Sequence, residues 1–398
     1  MTAAFVPLLL LAPADPPSFV AVGTTDERPA GRVVRLAPAG TAELATPAGI
    51  ATIRDLISLR LVGTSLPPLP RGPALFSTTG DRIPGTLAGG DARALRFRPA
   101  FLTDADPPWA VPLSSIAVVW LARPPADTPP DPDRYPWLAD PRRKDLVLLR
   151  NGDLARGTLT GFAPDIRLKP DTGAVRTFPL TEPAALAFDP SLARTRKPQG
   201  PYTHLVLRDG ARLDLASVSI DGDTVRGKAL FGTAVEIPLA ELVALDVWQG
   251  KAAYLSDLKP VKVEQSGFLG PAWPWSADRT VRGEPLRLLT SSGVETFDKG
   301  LGIHPRTALT YPLGGKYRRF EAVVGLDAAS GGGGRADVRV LVDGKEVSPP
   351  ELRLLSAGPA VVLRADLTGA KELALVVDFG PTGDVRADVN WGDARLIE

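Results

Sequence analysis

The stretch THLVLRDGARLDLASVSIDGDTVRGKALFGTAVEIPLAELVALDVW, Thr203 to Trp248, decides how most of this chain folds. Leu205 and Leu207 before Asp209-Gly210, and Leu213 and Leu215 after it, repeat with the period of two that marks half-buried strands. Asp-Gly supplies the positive φ angles of a tight hairpin, so the sequence predicts strand, two-residue turn, strand. Asp221-Gly222 gives a second turn, and a Pro238-Leu239 step leads into a last apolar strand.

The same grammar recurs upstream. DLVLLRNGDLARGTLTGFAPDIRLKP, Asp145 to Pro170, turns at Asn151-Gly152 and has its own step at Pro179-Leu180. ALFSTTGDRIPGTLAGGDARALRFRP, Ala74 to Pro99, turns at Gly80-Asp81 and steps at Pro112-Leu113, and a fainter copy runs from Phe19 to Val62. Self-similarity at roughly fifty to sixty residues means repeated supersecondary units that stack or pair. Each copy holds enough short strands for a small barrel-like meander and is marginal alone.

The repeats define an order of domains. Residues 15–122 carry repeats one and two, residues 145–250 repeats three and four, and the Pro-rich stretch 123–144 reads as a linker between the two pairs. Asp81, Asp153 and Asp209 all fall at or beside tight turns, where short polar side chains serve the backbone. The repeats therefore read as an interaction or spacing module, with an envelope protein as one partner they could contact.

Composition narrows the function. Among 398 residues, 46 basic side chains balance 45 acidic ones, so no net field favours nucleic acid or an anionic membrane. With 39 glycines, 41 prolines and abundant Leu, Val and Ala, the balance is that of an all-β protein. There is no cysteine and there are two histidines, which excludes disulfides and thiolate chemistry and leaves too few ligands for a zinc site of several histidines.

At the N-terminus, MTAAFVPLLLLAPADPP has an apolar run from Ala3 to Ala12 and then Ala12-Pro13-Ala14, the small-x-small pattern of a cleavage site. Residues 1–14 are expected to be a signal peptide, too short to span a bilayer as a helix. The mature protein is then secreted, periplasmic or at the cell surface, without membrane insertion.

The C-terminal region is the most specific. Val338, Val340 and Val342 alternate before Asp343-Gly344, FEAVVGLD and ELALVVDFG add apolar strands, and helical periodicity is missing, which calls for an antiparallel β-sandwich. Four landmarks, FDKGLGIHP (Phe297 to Pro305), YRRFEAVVGLD (Tyr317 to Asp327), VRVLVDGK (Val338 to Lys345) and DVNWGDARL (Asp388 to Leu396), occur in order within residues 254–398. On these the segment resembles the NPCBM family of carbohydrate-binding modules. The resemblance implies a galactose-binding-like jelly roll and glycan or polysaccharide binding without catalysis, and leaves open whether calcium assists. SGGGG, Ser330 to Gly334, departs from the short polar loop of the family and reads as a flexible segment.

Sugars present apolar C–H faces to aromatic rings and hydroxyls to fixed donors and acceptors. Candidate contacts are thus Asp388, Asn390, Trp391 and Asp393 in one run, and Trp273 and Trp275 in the Pro-rich PAWPW loop. Trp391 also reads as core, the reading large aromatics favour, and Asp393 as a turn residue. Asp327, between a strand and the glycine run, either binds an ion or caps a turn. His304 lacks a local nucleophile or a flanking carboxylate pair, so it reads as a structural or sugar-contacting residue. No catalytic residue is expected. Three readings follow: an exported glycan-binding protein, a structural envelope scaffold whose sandwich has lost its sugar, and, least supported by the residue inventory, a glycoside hydrolase.

Overall fold

The computed structural model describes residues 17–38, 40–121, 135, 138, 140–267, 272–331, 333–353, 355–381 and 383–398. The expected signal segment and most of the Pro-rich linker lie outside the described residues. Within them the chain is all-β, with short 3-10 turns as its only helical elements.

Four five-stranded units fill the N-terminal part. The fourth comprises Tyr202–Leu207, Arg212–Asp221, Thr224–Ala229, Ala234–Pro238 and Leu242–Trp248. The first four strands form an antiparallel meander, and the fifth returns to pair with the first. Units beginning at Ser18, Ala74 and Asp145 repeat this pairing. The Pro-Leu step has a structural cause: Pro238 ends the fourth strand and Leu239, buried, opens a 3-10 turn that aims the fifth strand back. Pro112-Leu113 does the same in unit two.

The hairpin turns differ from the two-residue form expected. Leu207 N–H donates to the Ala211 carbonyl and Gly210 N–H to the Leu207 carbonyl, so Arg208, Asp209 and Gly210 make a three-residue loop with Gly210 at φ +88°. That is a type I turn closed by a left-handed glycine, and it shifts the register by one residue relative to a two-residue turn. The loops before Asp81 and Asp153 share this bonding.

The units pair in a nested order rather than in sequence. The last strand of unit two meets that of unit three, Val119 opposite Leu186, and the last strand of unit one meets that of unit four, Leu59 opposite Leu245. The Pro-rich stretch thus separates two units that pair with each other. Phe19, Phe97, Phe162 and Leu245, one from each unit, share a continuous apolar core. Pooling their cores this way removes the weakness of a unit too small to bury enough surface alone.

Two antiparallel sheets follow. One holds Gly300–Ile303, Val389–Ile397, Arg319–Leu326 and Val361–Asp366 as neighbours, with Ala252–Tyr254 on the far edge of Val389–Ile397. The other holds Lys262–Gln265, Thr307–Pro312, Glu372–Phe379 and Arg335–Val342. Their inward faces, including Leu301, Phe320, Val338, Leu375 and Trp391, form one core, as expected of a sandwich.

Two glycines serve close approach. A Cβ on Gly300, at φ +149°, would lie 2.1 Å from the Trp391 carbonyl oxygen. A Cβ on Gly334 would lie 1.8 Å from that of Arg386, so this end of the SGGGG run is there for fit rather than for flexibility alone. The sandwich rests against units one and four through Val22, Ile57, Ala252 and Ile397, and through Tyr202, Trp248 and Tyr254.

Candidate functional site

Strand Gly300–Ile303 delivers His304 to one rim of the sandwich. There His304 Nδ1 lies 2.7 Å from Asp388 Oδ1, with Asp388 on the approach to the last strand. A carboxylate only accepts, so Nδ1 carries the hydrogen and Nε2 is left for another partner. Asp384 Oδ2 lies 3.9 Å from Nε2, beyond hydrogen-bond reach. Arg282 Nε approaches the second Asp388 oxygen at 3.5 Å while its side chain stays largely in solvent.

Residues 272–275 lie at this rim. Trp273 is 52% exposed, its ring centroid 6.1 Å from that of His304 and tilted by 44°. Gln265 Nε2 donates to the Trp273 carbonyl and fixes the loop to the edge strand. The half-exposed indole offers an apolar face beside the exposed Arg282 guanidinium and the part-exposed Asp384 carboxylate, while His304 and Asp388 are 8% and 4% exposed.

Beneath the rim, Asp327 and Asn390 form a support. Asp327 Oδ1 accepts from Ala329 N–H and caps the 3-10 turn, and its backbone N–H donates to the Asp388 carbonyl. Burial pushes the Asp327 carboxyl up, against the bond from Ala329. Asn390 is fully buried and donates to the Arg287 carbonyl. Among the described residues no three His, Cys, Asp or Glu side chains converge as a metal-ligand set.

The candidate residues therefore separate. Trp273, His304 and Asp388 come together at the rim. Trp391 does not reach solvent: it lies mid-strand opposite Leu301 and Val324, 0% exposed and packed near Phe320, which corrects its reading as a stacking platform. Asn390 is likewise enclosed, Trp275 packs against the sandwich core, and Asp327 is a turn cap below the surface. Asp393 faces away from the rim, with Arg60 of unit one 3.4 Å from it. Arg282 and Asp384 were not singled out by sequence, because each sits in a polar turn that resembles any other.

The second histidine heads a different cluster, at the junction of repeats and sandwich. His204 Nδ1 lies 2.6 Å from Asp214, and its ring stacks on Trp248 at 4.0 Å and 10°. Asp298, from the FDKG turn of the sandwich, receives Arg212 Nε at 2.9 Å. Lys299 is held by Asp257 at 2.6 Å and Asp278 at 2.9 Å and lies over the Trp248 ring. Hence two residues of the FDKGLGIHP landmark serve the junction and one serves the rim.

Comparison with known proteins concerns the sandwich as a whole. Residues 251–397 match the sequence profile of the family described as NPCBM/NEW2 domain. A relative from Renibacterium salmoninarum, named "Putative endo-alpha-N-acetylgalactosaminidase", is 27% identical over 231 residues, covering 54% of this chain; the chain spans 15% of the length of that relative. Among solved structures, the CBM51 module of Clostridium perfringens GH95, in complex with methyl-galactose, is 24% identical over 36% of this chain and 99% of that one, with a TM-score of 0.33. The CBM51-2 and INT domains of Clostridium perfringens ZmpB, with GlcNAc, are 25% identical over 44% of this chain and 36% of that one, at a TM-score of 0.34.

Proposed function

We propose that this chain binds carbohydrate without cleaving it, at the rim formed by Trp273, His304, Asp388, Asp384 and Arg282. The observation that carries the reading is the half-exposed Trp273 ring beside the His304–Asp388 pair, on a domain that matches a carbohydrate-binding family. The indole face stacks on the C–H face of a sugar. Nε2 of His304, held in orientation by Asp388, accepts from one hydroxyl, Asp384 accepts from another, and the Arg282 guanidinium donates. Asp388 is committed to His304, which favours binding over a hydrolytic pair of free carboxylates.

The repeats are a support rather than a loose spacer, since buried ion pairs and two apolar clusters join them to the sandwich. Export belongs to the same proposal, on the apolar N-terminal run and its small-x-small step. Neither calcium nor a cofactor is needed for the contacts named.

A glycan-array screen of the whole chain, with and without calcium, tests the reading. Retention of a defined glycan set, unchanged by chelator and lost in Trp273→Ala, is the expected result. A folded protein that retains no glycan would instead favour a structural envelope scaffold.

A further inference from the structure

His204 stands where unit four, unit two and the sandwich meet, stacked on Trp248 and with charged groups approaching from each of these elements. On the neighbouring strand Arg212–Asp221, Asp214 takes Nδ1, and on Leu242–Trp248 the residue opposite is Asp246, itself paired with Arg60 at 2.8 Å. Asp81 of unit two accepts the Asp214 backbone N–H at 2.6 Å and is fixed by Ser77 and Thr79. Lys197 approaches Asp214 at 3.9 Å from the segment before the first strand. From the sandwich come Asp298, 3.7 Å from Nε2, and Lys299 over the far ring of Trp248.

Hydrogen-bond chemistry fixes what the ring must be. Nδ1 faces a carboxylate that can only accept, so it carries a hydrogen. A neutral imidazole would then turn the lone pair of Nε2, a buried atom with no hydrogen-bond partner, toward the Asp298 carboxylate. The imidazolium suits both carboxylates, bonding Asp214 through Nδ1 and facing Asp298 as an ion pair at 3.7 Å, longer than a hydrogen bond. We infer that His204 is a protonated latch that ties Asp214 of the fourth repeat to Asp298 of the sandwich, and that alkaline solution releases it.

The electrostatics run the same way. Burial lowers the affinity of His204 for its proton, but the bond to Asp214 and the charges of Asp214 and Asp298 outweigh burial and raise its pKa to about 9. Asp298, despite burial, is held well below the usual carboxylate range by Arg212 and His204. A histidine whose pKa rises on folding contributes stability that is complete below the ordinary value of about 6.5 and is lost as pH climbs through about 9. The Arg212–Asp298 pair does not involve the ring, so release loosens the junction while that pair persists.

With only two histidines in the chain, NMR of ring-labelled histidine gives two imidazole signals, and His204→Gln assigns them. The His204 signal is expected to titrate near pH 9, and Asp298→Asn, a change in the other module, is expected to lower that midpoint by about one unit or more. Titration of the wild-type signal near or below about 6.5 would overturn the latch. So would a midpoint untouched by Asp298→Asn or, should that variant not fold, by Asp298→Glu, which displaces the charge.

Discussion

The two histidines occupy two regions built from the same parts and put to different use. Each has Nδ1 on an aspartate, at 2.6 Å for His204 and 2.7 Å for His304, and each lies beside a tryptophan. At the junction, Trp248 is stacked flat and buried, and the outer carboxylate, Asp298, is already taken by Arg212. At the rim, Trp273 is tilted and half exposed, and the outer carboxylate, Asp384, lies 3.9 Å from the ring with its side chain 35% exposed. A His-Asp-Trp cluster is therefore glue where its second partners come from the protein and a candidate site where they must come from outside.

The sharpest way to break the comparison is to remove a partner at the junction. Arg212→Ala leaves Asp298 short of its main counter-charge in a mostly enclosed setting, and should cost about 3–5 kcal/mol in urea unfolding. Glycan retention by the folded fraction should not change. Next in size is pH: the unfolding free energy of the wild type should fall by at most about 3 kcal/mol between pH 6.5 and pH 9 relative to His204→Gln. Parallel pH profiles for the two proteins would remove the distinction between the regions.

At the rim the effects exchange places. Trp273→Ala should alter stability by no more than about 0.5 kcal/mol, yet weaken glycan affinity about tenfold, a loss of about 1.4 kcal/mol measured by titration calorimetry. The smallest effect belongs to the support. Asp327→Asn keeps an acceptor for Ala329 and relieves a buried charge, so it should change stability by about 1 kcal/mol or less and leave glycan affinity equal with and without calcium.

Much of this was legible in residue patterns. The alternation of Leu213 and Leu215, the glycine turns and the Pro-Leu steps mark the repeats, and Val338, Val340 and Val342 mark a sandwich strand. What pattern could not supply was register and partner. Read as a two-residue turn, Asp209-Gly210 sets His204 opposite Leu215; the three-residue loop sets it opposite Asp214, and with that one-residue step the junction cluster appears. Pairing of unit one with unit four depends on edges far apart in sequence, which no local signal encodes.

The rim was half visible for a related reason. Trp391 carries the polar neighbours of a sugar site in sequence, but its strand is buried on both faces, so Trp391 and Asn390 are enclosed, while Asp388, before the strand, is buried against His304 at the rim. Trp273 lies in a Pro-rich loop whose position relative to His304 is set only by the fold. Asp384 and Arg282 reach the same place from separate turns.

The most direct test of the division between rim and junction is to titrate the ring-labelled whole chain with a glycan selected on the array and follow both imidazole signals. The account predicts that the His304 signal moves with saturation while the His204 signal stays in place. Saturable binding that moves the His204 signal, or that moves neither, would contradict it.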